Sequence, residues 1–319
     1  MIRYTIRRLI ALIPALALVA VLTFLVIHIV PGDPAGAMLG TEATAERIAQ
    51  LRQQLGLDKP LPQQFVEWLS RALRGDLGQS FYLRQPVTES LMERLPLTLT
   101  LASFALAVSL AIGIPAGIIA AIFQNRPADA GVMAVAVLGI SFPSFWLGLN
   151  FIYLFGVVLR WFPTGGYVPL TENLTAGLRH LCLPSVSLGI LQAALIARIT
   201  RSSMLEVLRQ EYVRTARAQG LAEARVIVRH ALSNAMISII TVVGLAFGIL
   251  LGGAVVIETV FTLPGIGRLV VNAVARRDYP IIQGALLMAA TSYIIVNMVV
   301  DLLYAYFDPR IRQQYVGGR

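Results

Sequence analysis

The residues able to do chemistry are few and far apart. Lys59 is the only lysine among 26 basic residues, and it stands in Leu57-Asp-Lys-Pro60 with no glycine loop before it and no hydroxyl residue after it. A loop that cradles nucleotide phosphates needs glycines for close backbone approach, a lysine for the outer phosphates and a Ser or Thr for Mg²⁺. If ATP drives this chain, another polypeptide must bind it. The histidines, His28, His180 and His230, are dispersed, and the single cysteine, Cys182, cannot form an internal disulfide, so neither a zinc site nor a disulfide framework is expected. No nucleophile stands at a useful spacing from a base, and an enzyme therefore lacks its parts. Asp301 and Glu258 are the carboxylates that a proton-coupled carrier could use, since an acid in an apolar block is costly and marks function by default.

The elements that must position these residues are apolar. Of the 319 residues 57% are hydrophobic and only 13% charged, about half the share of a soluble domain. The mean hydropathy is +0.73. Apolar blocks lie at about 9–30, 97–123, 131–159, 183–199, 237–257 and 281–307, each near the ~20 residues that cross a bilayer as a helix. Six transmembrane helices are expected. The first follows Arg3, Arg7 and Arg8, and its 22 nearly uninterrupted apolar positions exceed a signal-peptide core, so it is read as a retained helix. The net charge of +9 belongs to arginines that orient helices rather than to nucleic-acid binding.

Six crossings place both termini on one side. With the termini in the cytoplasm the inner segments hold 14 basic residues and the short outer loops five, the bias of a cytoplasmic membrane protein. The chain divides into a start and first helix (1–30), an extracytoplasmic helical loop domain (31–96), a five-helix core (97–307) and a cytoplasmic tail (308–319). Within 31–96, Ile48, Leu51 and Leu55 precede Gly56. Phe65, Trp68, Leu69 and Ala72 follow Pro62 and end at Gly75, and Val87, Leu91 and Leu95 follow Pro86, giving three short helices that read either as a cap with a small core of its own or as a dock for an external partner.

Inside the membrane, Gly244, Gly248 and Gly252 form a groove for close approach of another helix, in this chain or in a partner. Pro115 and the segment Ser141-Phe-Pro-Ser144 are expected to kink their helices. Asn150, Gln192 and Asn297 are polar at membrane depth and are candidates for a translocation path or for structural bonds. Between the fourth and fifth spans, the loop 200–236 carries Met204, Leu205, Leu208, Tyr212 and Ala216 at helical spacing amid Arg201, Arg209, Arg214 and Arg217. This reads as one amphipathic basic helix closed by Gly220, with a second helix from Ala222. Such a knob fits either a groove in another protein or an anionic lipid surface.

The segment Glu211-Tyr-Val-Arg-Thr-Ala-Arg-Ala-Gln-Gly220-Leu221, followed by Arg229-His-Ala-Leu-Ser-Asn234, resembles the coupling loop of ABC importer permeases of the peptide/nickel branch. Val30-Pro-Gly-Asp-Pro-Ala35, Gly75-Asp-Leu-Gly-Gln-Ser80, Ser141-Phe-Pro-Ser-Phe-Trp146, Glu258-Thr-Val-Phe-Thr-Leu-Pro-Gly-Ile-Gly267, Arg277-Asp-Tyr-Pro280 and Asp308-Pro-Arg310 fit the same branch in the same order. The resemblance implies an all-α, polytopic, type I ABC importer-like core in the bacterial cytoplasmic membrane. It also implies a second homologous permease subunit, two ATPase subunits holding ATP and Mg²⁺, and an extracytoplasmic binding protein that delivers di- or oligopeptides, glutathione or nickel complexes. Glu211, Arg214, Thr215, Ala216, Arg217, Gly220 and Leu221 then form the ATPase-coupling loop. Thr215, Ala216 and Gly220 would permit close docking, Arg214 and Arg217 polar contact, and Leu221 would fill an apolar pocket. The sequence departs from the general family motif, with Arg214 and Thr215 where Glu and Ala are usual, Ser233 at a common proline, and Ala222 at a common N-cap serine.

Overall fold

A segment in hydrocarbon must satisfy its backbone N–H and C=O groups internally, which makes helices the response to these apolar blocks. A computed structural model describes residues 2–29, 36, 44–54 and 56–307. Helices α1 (Ile2–Ile29), α2 (Ala45–Gln54), α3 (Leu61–Leu73) and α4 (Val87–Met92) lead into α5 (Leu95–Ile122). Next come α6 (Pro127–Ser141), α7 (Ser144–Phe151) with a π-helical continuation at Ile152–Val158, and α8 (Leu174–Leu208). The chain continues through α9 (Glu211–Ala218), α10 (Glu223–Arg225) with a π-helical stretch at Val226–Leu232, α11 (Ser233–Val260), α12 (Ile266–Arg276) and α13 (Tyr279–Phe307).

Among the described residues, Val87–Ile122, Leu174–Leu208, Glu223–Val260 and Tyr279–Val299 are long and apolar enough to cross a membrane. The α6–α7 pair makes a fifth such element, and α1 contributes a shorter apolar stretch, Leu12–Leu25. The third expected span is broken rather than kinked, with α6 and α7 meeting at 97°. Proline disfavours a helical residue before it, and Phe142 accordingly is extended at φ −95° and ψ 131°. Pro115, by contrast, leaves α5 unbroken.

Two compact units form. The first holds Leu97–Leu263 and the end of α13 from Ile295. Here α8 is the central element, against which α6, α7 and α11 pack. Leu101 and Ala105 of α5, Leu188 of α8, and Leu250 and Ile257 of α11 build its main core. The tightest crossing is glycine-mediated: a Cβ at Gly113 or Gly117 of α5 would lie 2.6 or 2.5 Å from the carbonyl oxygens of Ala193 and Ala197 of α8. Gly189 of α8 meets the Ala105 carbonyl in the same way, at 2.6 Å. The groove expected at Gly244, Gly248 and Gly252 differs, for Gly244 is buried, Gly248 is half-buried, and Gly252 is exposed with nothing within 4 Å of a built Cβ.

The second unit holds Ile2–Pro96 and Pro264–Ile294. Gly56 (φ +66°) and Gly75 (φ +83°) follow α2 and α3 in the left-handed region, as their positions after the apolar stripes predict. Phe65 and Trp68 of α3 pack against Phe24 of α1, with ring centres 5.4 and 6.0 Å apart. The described part of 31–96 does not close on itself as expected: Val87 and Leu91 of α4 are fully buried against Ile266, Leu269 and Ile281. Gly284 allows this approach, since a Cβ there would meet Val87 Cγ1 at 2.6 Å. Residues 31–35, Leu55 and the tail 308–319, and the side chains of Leu51 and Asp301, lie outside the described residues.

Candidate partner-coupling site

The loop 200–236 is built by a break in the amphipathic pattern. Where one helix was expected through 201–217, α8 ends at Leu208 and α9 starts after Gln210, which is extended at φ −71° and ψ 147°. The i, i+4 pattern runs on across the break because tertiary packing uses it twice. Val207 and Leu208 at the end of α8 pack on the same cluster as Val213 and Ala216 of α9 and Val226 beyond α10. Propensity alone carries no signal for that turn.

Ala216 is turned inward, only 6% exposed, and Leu221 packs on the same cluster. This corrects the expected outer placement of Ala216, which belongs to the loop's own core, while Leu221 is half-buried at that core's edge. The exposed face of α9 is instead Glu211, Tyr212, Arg214, Thr215 and Arg217. Arg214 pairs with Glu211 at 2.9 Å along the helix. Arg217 reaches across the loop to Glu223, with Nε and Nη2 donating to its two carboxylate oxygens at 3.1 and 2.7 Å. Thr215 is exposed, and its Oγ1 donates to the Glu211 carbonyl at 3.0 Å.

Gly220 ends α9 at φ +77° with nothing within 4 Å of a built Cβ. Its N–H donates to the Arg217 carbonyl at 2.9 Å and that of Leu221 to the Ala216 carbonyl at 3.4 Å, the paired bonds of a glycine-terminated helix end. Ala222 makes no side-chain cap, as its type predicts. The helix from Glu223 runs through the π-helical stretch into α11, so the second loop helix is the start of the next span rather than a separate element.

Other singled-out residues are dispersed. Asn150 is exposed and donates to the Trp146 carbonyl at 2.7 Å. Gln192 is buried, and its Oε1 has no hydrogen-bond partner among the described residues. Asn297 is half-buried on α13. Glu258 is fully buried and accepts from Thr98 Oγ1 at 2.6 Å.

Sequence reasoning missed the ion pair nearest the loop. Arg201, near the end of α8, donates from Nε and Nη2 to both oxygens of Asp129 in the first turn of α6, each at 2.6 Å. Asn125 N–H adds a third bond to that carboxylate at 3.0 Å. An acid two residues after the Pro127 helix start was the available signal.

A helical chain with several bilayer-length apolar elements has the build of a multi-pass membrane protein. The chain belongs to the family described as binding-protein-dependent transport system inner membrane component, which it matches over residues 113–313, while residues 1–102 match the N-terminal component of the same system. A Brucella abortus (strain 2308) protein named as a peptide transport system permease is 46% identical over 94% of this chain and 96% of its own length. The glutathione transport system permease protein GsiC of Escherichia coli (strain K12) is 47% identical over 98% of this chain and 99% of its own. Two structures of the inward-facing MetNI methionine ABC transporter share the fold at 16% identity. Their TM-scores are 0.57 and 0.58, over 68% of this chain and 96% and 95% of theirs. The chain is an ABC transporter permease of the inner membrane.

Proposed function

We propose that the chain is one of two homologous permease subunits of an ATP-driven importer that takes up di- or oligopeptides delivered by an extracytoplasmic binding protein. The observation that carries this reading is the identity of 46% and 47%, over nearly the whole chain, to permeases named for peptide and for glutathione transport. Glutathione is itself a tripeptide, so it stands second within one substrate class, and nickel complexes stand third.

In this reading the partner ATPases hold ATP and Mg²⁺ and this chain does no chemistry of its own. The exposed face of α9 seats on an ATPase, with Arg214 and Arg217 in polar contact and Thr215 and Gly220 permitting close approach. The cluster of Val213, Ala216, Val226 and Leu221 ties α9 to α8 and to the start of the next span. Closure of the ATPases therefore moves these helices as packed bodies rather than bending the loop. The exposed end of the Gly244, Gly248 and Gly252 line faces the second permease. Gln192, with a buried oxygen in need of a donor, is the best of the path candidates. Both termini lie in the cytoplasm, following the arginine bias. The proton-coupled alternative is weakened at Glu258, whose carboxylate is enclosed and already accepts from Thr98.

The test is uptake by the assembled transporter in proteoliposomes with labelled dipeptide, glutathione or nickel–histidine outside and ATP at the ATPases. Peptide uptake that requires ATP and the binding protein, and that persists with an uncoupler, is expected. Uptake without ATP that an uncoupler abolishes would overturn the reading.

A further inference from the structure

Alongside α8 runs a groove of about 310 Å³ with apolar walls. It is lined by α5 at Ile112 and Ala116, by α6 from Gly131 to Gly139 and by α8 from Ile190 to Ala197. Small side chains give it depth: Ala136, Ala194 and Ala197 are buried, while Ile112 and Val135 stand exposed beside them. Gly131 is exposed, with nothing within 4 Å of a built Cβ. The α6 wall from Gly131 to Gly139 is about 12 Å long at the rise of a helix.

The end of the groove near Gly131 and Ala197 is basic. There Arg201 of α8 donates to both oxygens of Asp129 of α6, and the Asn125 N–H adds a further bond, so this carboxylate is fully committed. Arg198 stands on α8 one turn beyond Ala194 and is exposed, as is Arg126 immediately before α6. Among the described residues neither meets an acid: Arg198 has no side-chain partner, and Arg126 lies only over the Phe123 ring, 6.0 Å from its centre.

We propose that the groove holds an acyl chain of an anionic phospholipid whose phosphate is met by Arg198 and Arg126. An apolar groove open to the bilayer is filled, because empty walls forgo their contact atoms. A hydrocarbon chain gains little by exchanging lipid neighbours for apolar side chains, so the headgroup decides which lipid stays. Guanidinium groups bind phosphate through forked N–H···O bonds. A helix of a second subunit seated here would have to bring acidic side chains to the edge of the hydrocarbon, a costly place for them, whereas a phospholipid carries its phosphate at that depth. Such a lipid requires only that the chain sit in a bilayer, so its presence is independent of which solute the transporter moves.

The test is native mass spectrometry of the complete transporter, stripped of lipid in detergent and titrated with phosphatidylglycerol or phosphatidylcholine. Phosphatidylglycerol is expected to bind about tenfold or more tightly than phosphatidylcholine. Arg198→Gln and Arg126→Gln are each expected to lower that preference about fivefold, the effect of one basic residue near an anionic headgroup. Arg160→Gln, exposed on the same unit and outside the groove, is expected to leave it within about twofold. Equal binding of the two lipids overturns the proposal, as does a preference that survives both glutamine substitutions. Photoreactive benzoylphenylalanine in place of Val135, in the otherwise unsubstituted transporter, locates the occupant. A phosphatidylglycerol adduct that Gly131→Leu diminishes is expected, since the leucine fills open space in the groove. An adduct unchanged by Gly131→Leu overturns the groove as the site, and a crosslink to the second permease assigns the groove to subunit contact and overturns the lipid.

Discussion

Arg201 holds Asp129 through two parallel bonds of 2.6 Å, one from Nε and one from Nη2, and so joins the start of α6 to the part of α8 that leads into the inner loop. Paired guanidinium–carboxylate bonds fix orientation as well as distance, and breaking one partner of an enclosed pair leaves the other charge unmatched. Asp129→Asn should therefore lower the thermal midpoint by a few °C, on the order expected for a single lost polar contact, and should reduce ATP-driven uptake more than ATP hydrolysis. The exchange Asp129→Arg with Arg201→Asp should recover part of both. Unchanged uptake in Asp129→Asn would remove the pair from the coupling route.

The α5–α8 crossing depends on glycine. Gly113→Ala and Gly117→Ala place a methyl 2.6 and 2.5 Å from backbone oxygens that cannot step aside as a flexible side chain would. Each should cost about 1–3 kcal/mol in detergent unfolding. Gly252→Ala has open space and should be silent in the same assay. If Gly252→Leu also leaves copurification of the second permease intact, the outward glycine line is not the subunit contact.

Local stability of α3 should depend on pH through Glu67. Its carboxylate accepts from Lys59 Nζ at 2.7 and 2.8 Å, and this bond holds its pKa below the ordinary 4.5. A depressed carboxylate pKa gives a contribution that is complete above the unfolded value and lost as pH falls through the folded one. Hydrogen exchange in Leu61–Leu73, corrected for its intrinsic pH dependence, should gain a modest acceleration below about pH 4.5 that Glu67→Gln abolishes. The same acceleration in Glu67→Gln would assign it to another group.

Glu258 tests structural against proton-carrying roles. Thr98→Val removes a buried donor to its carboxylate and should destabilise the chain by about 1–3 kcal/mol. Glu258→Gln, if it folds, should retain ATP-driven uptake with the pH profile of the unsubstituted transporter. A profile flattened by that substitution would support proton coupling.

The parts of the fold legible in the sequence are those set by local rules. Apolar length located four of the six expected spans as single helices and a fifth as a broken pair, and Gly56, Gly75 and Gly220 marked helix ends because each must take a positive φ. Long-range pairing was not legible: Ser80 with Asp278, Thr98 with Glu258 and Asp129 with Arg201 join residues 72 to 198 positions apart, with no periodicity to announce them. The glycine line on α11 drew attention through its two four-residue steps. Yet the close backbone crossing lies at Gly113 and Gly117, which stand one such four-residue step apart, and only the facing helix tells the two lines apart. In the loop 200–236 the motif drew attention to a segment whose facing the sequence did not determine. Ala216 could be apolar toward a partner or toward the loop's own core, and its burial places it in that core.

The most direct measurement is mass spectrometry of what copurifies with the tagged chain in mild detergent, for the unsubstituted protein, Gly220→Arg and Thr215→Arg. Gly220→Arg strains a position at φ +77°, while Thr215→Arg changes only the exposed face of α9. The account predicts a second permease with all three chains, and ATPase subunits with the unsubstituted chain alone. ATPases that persist with both variants would contradict α9 as the coupling element, and a chain that purifies without any ATPase would contradict the importer itself.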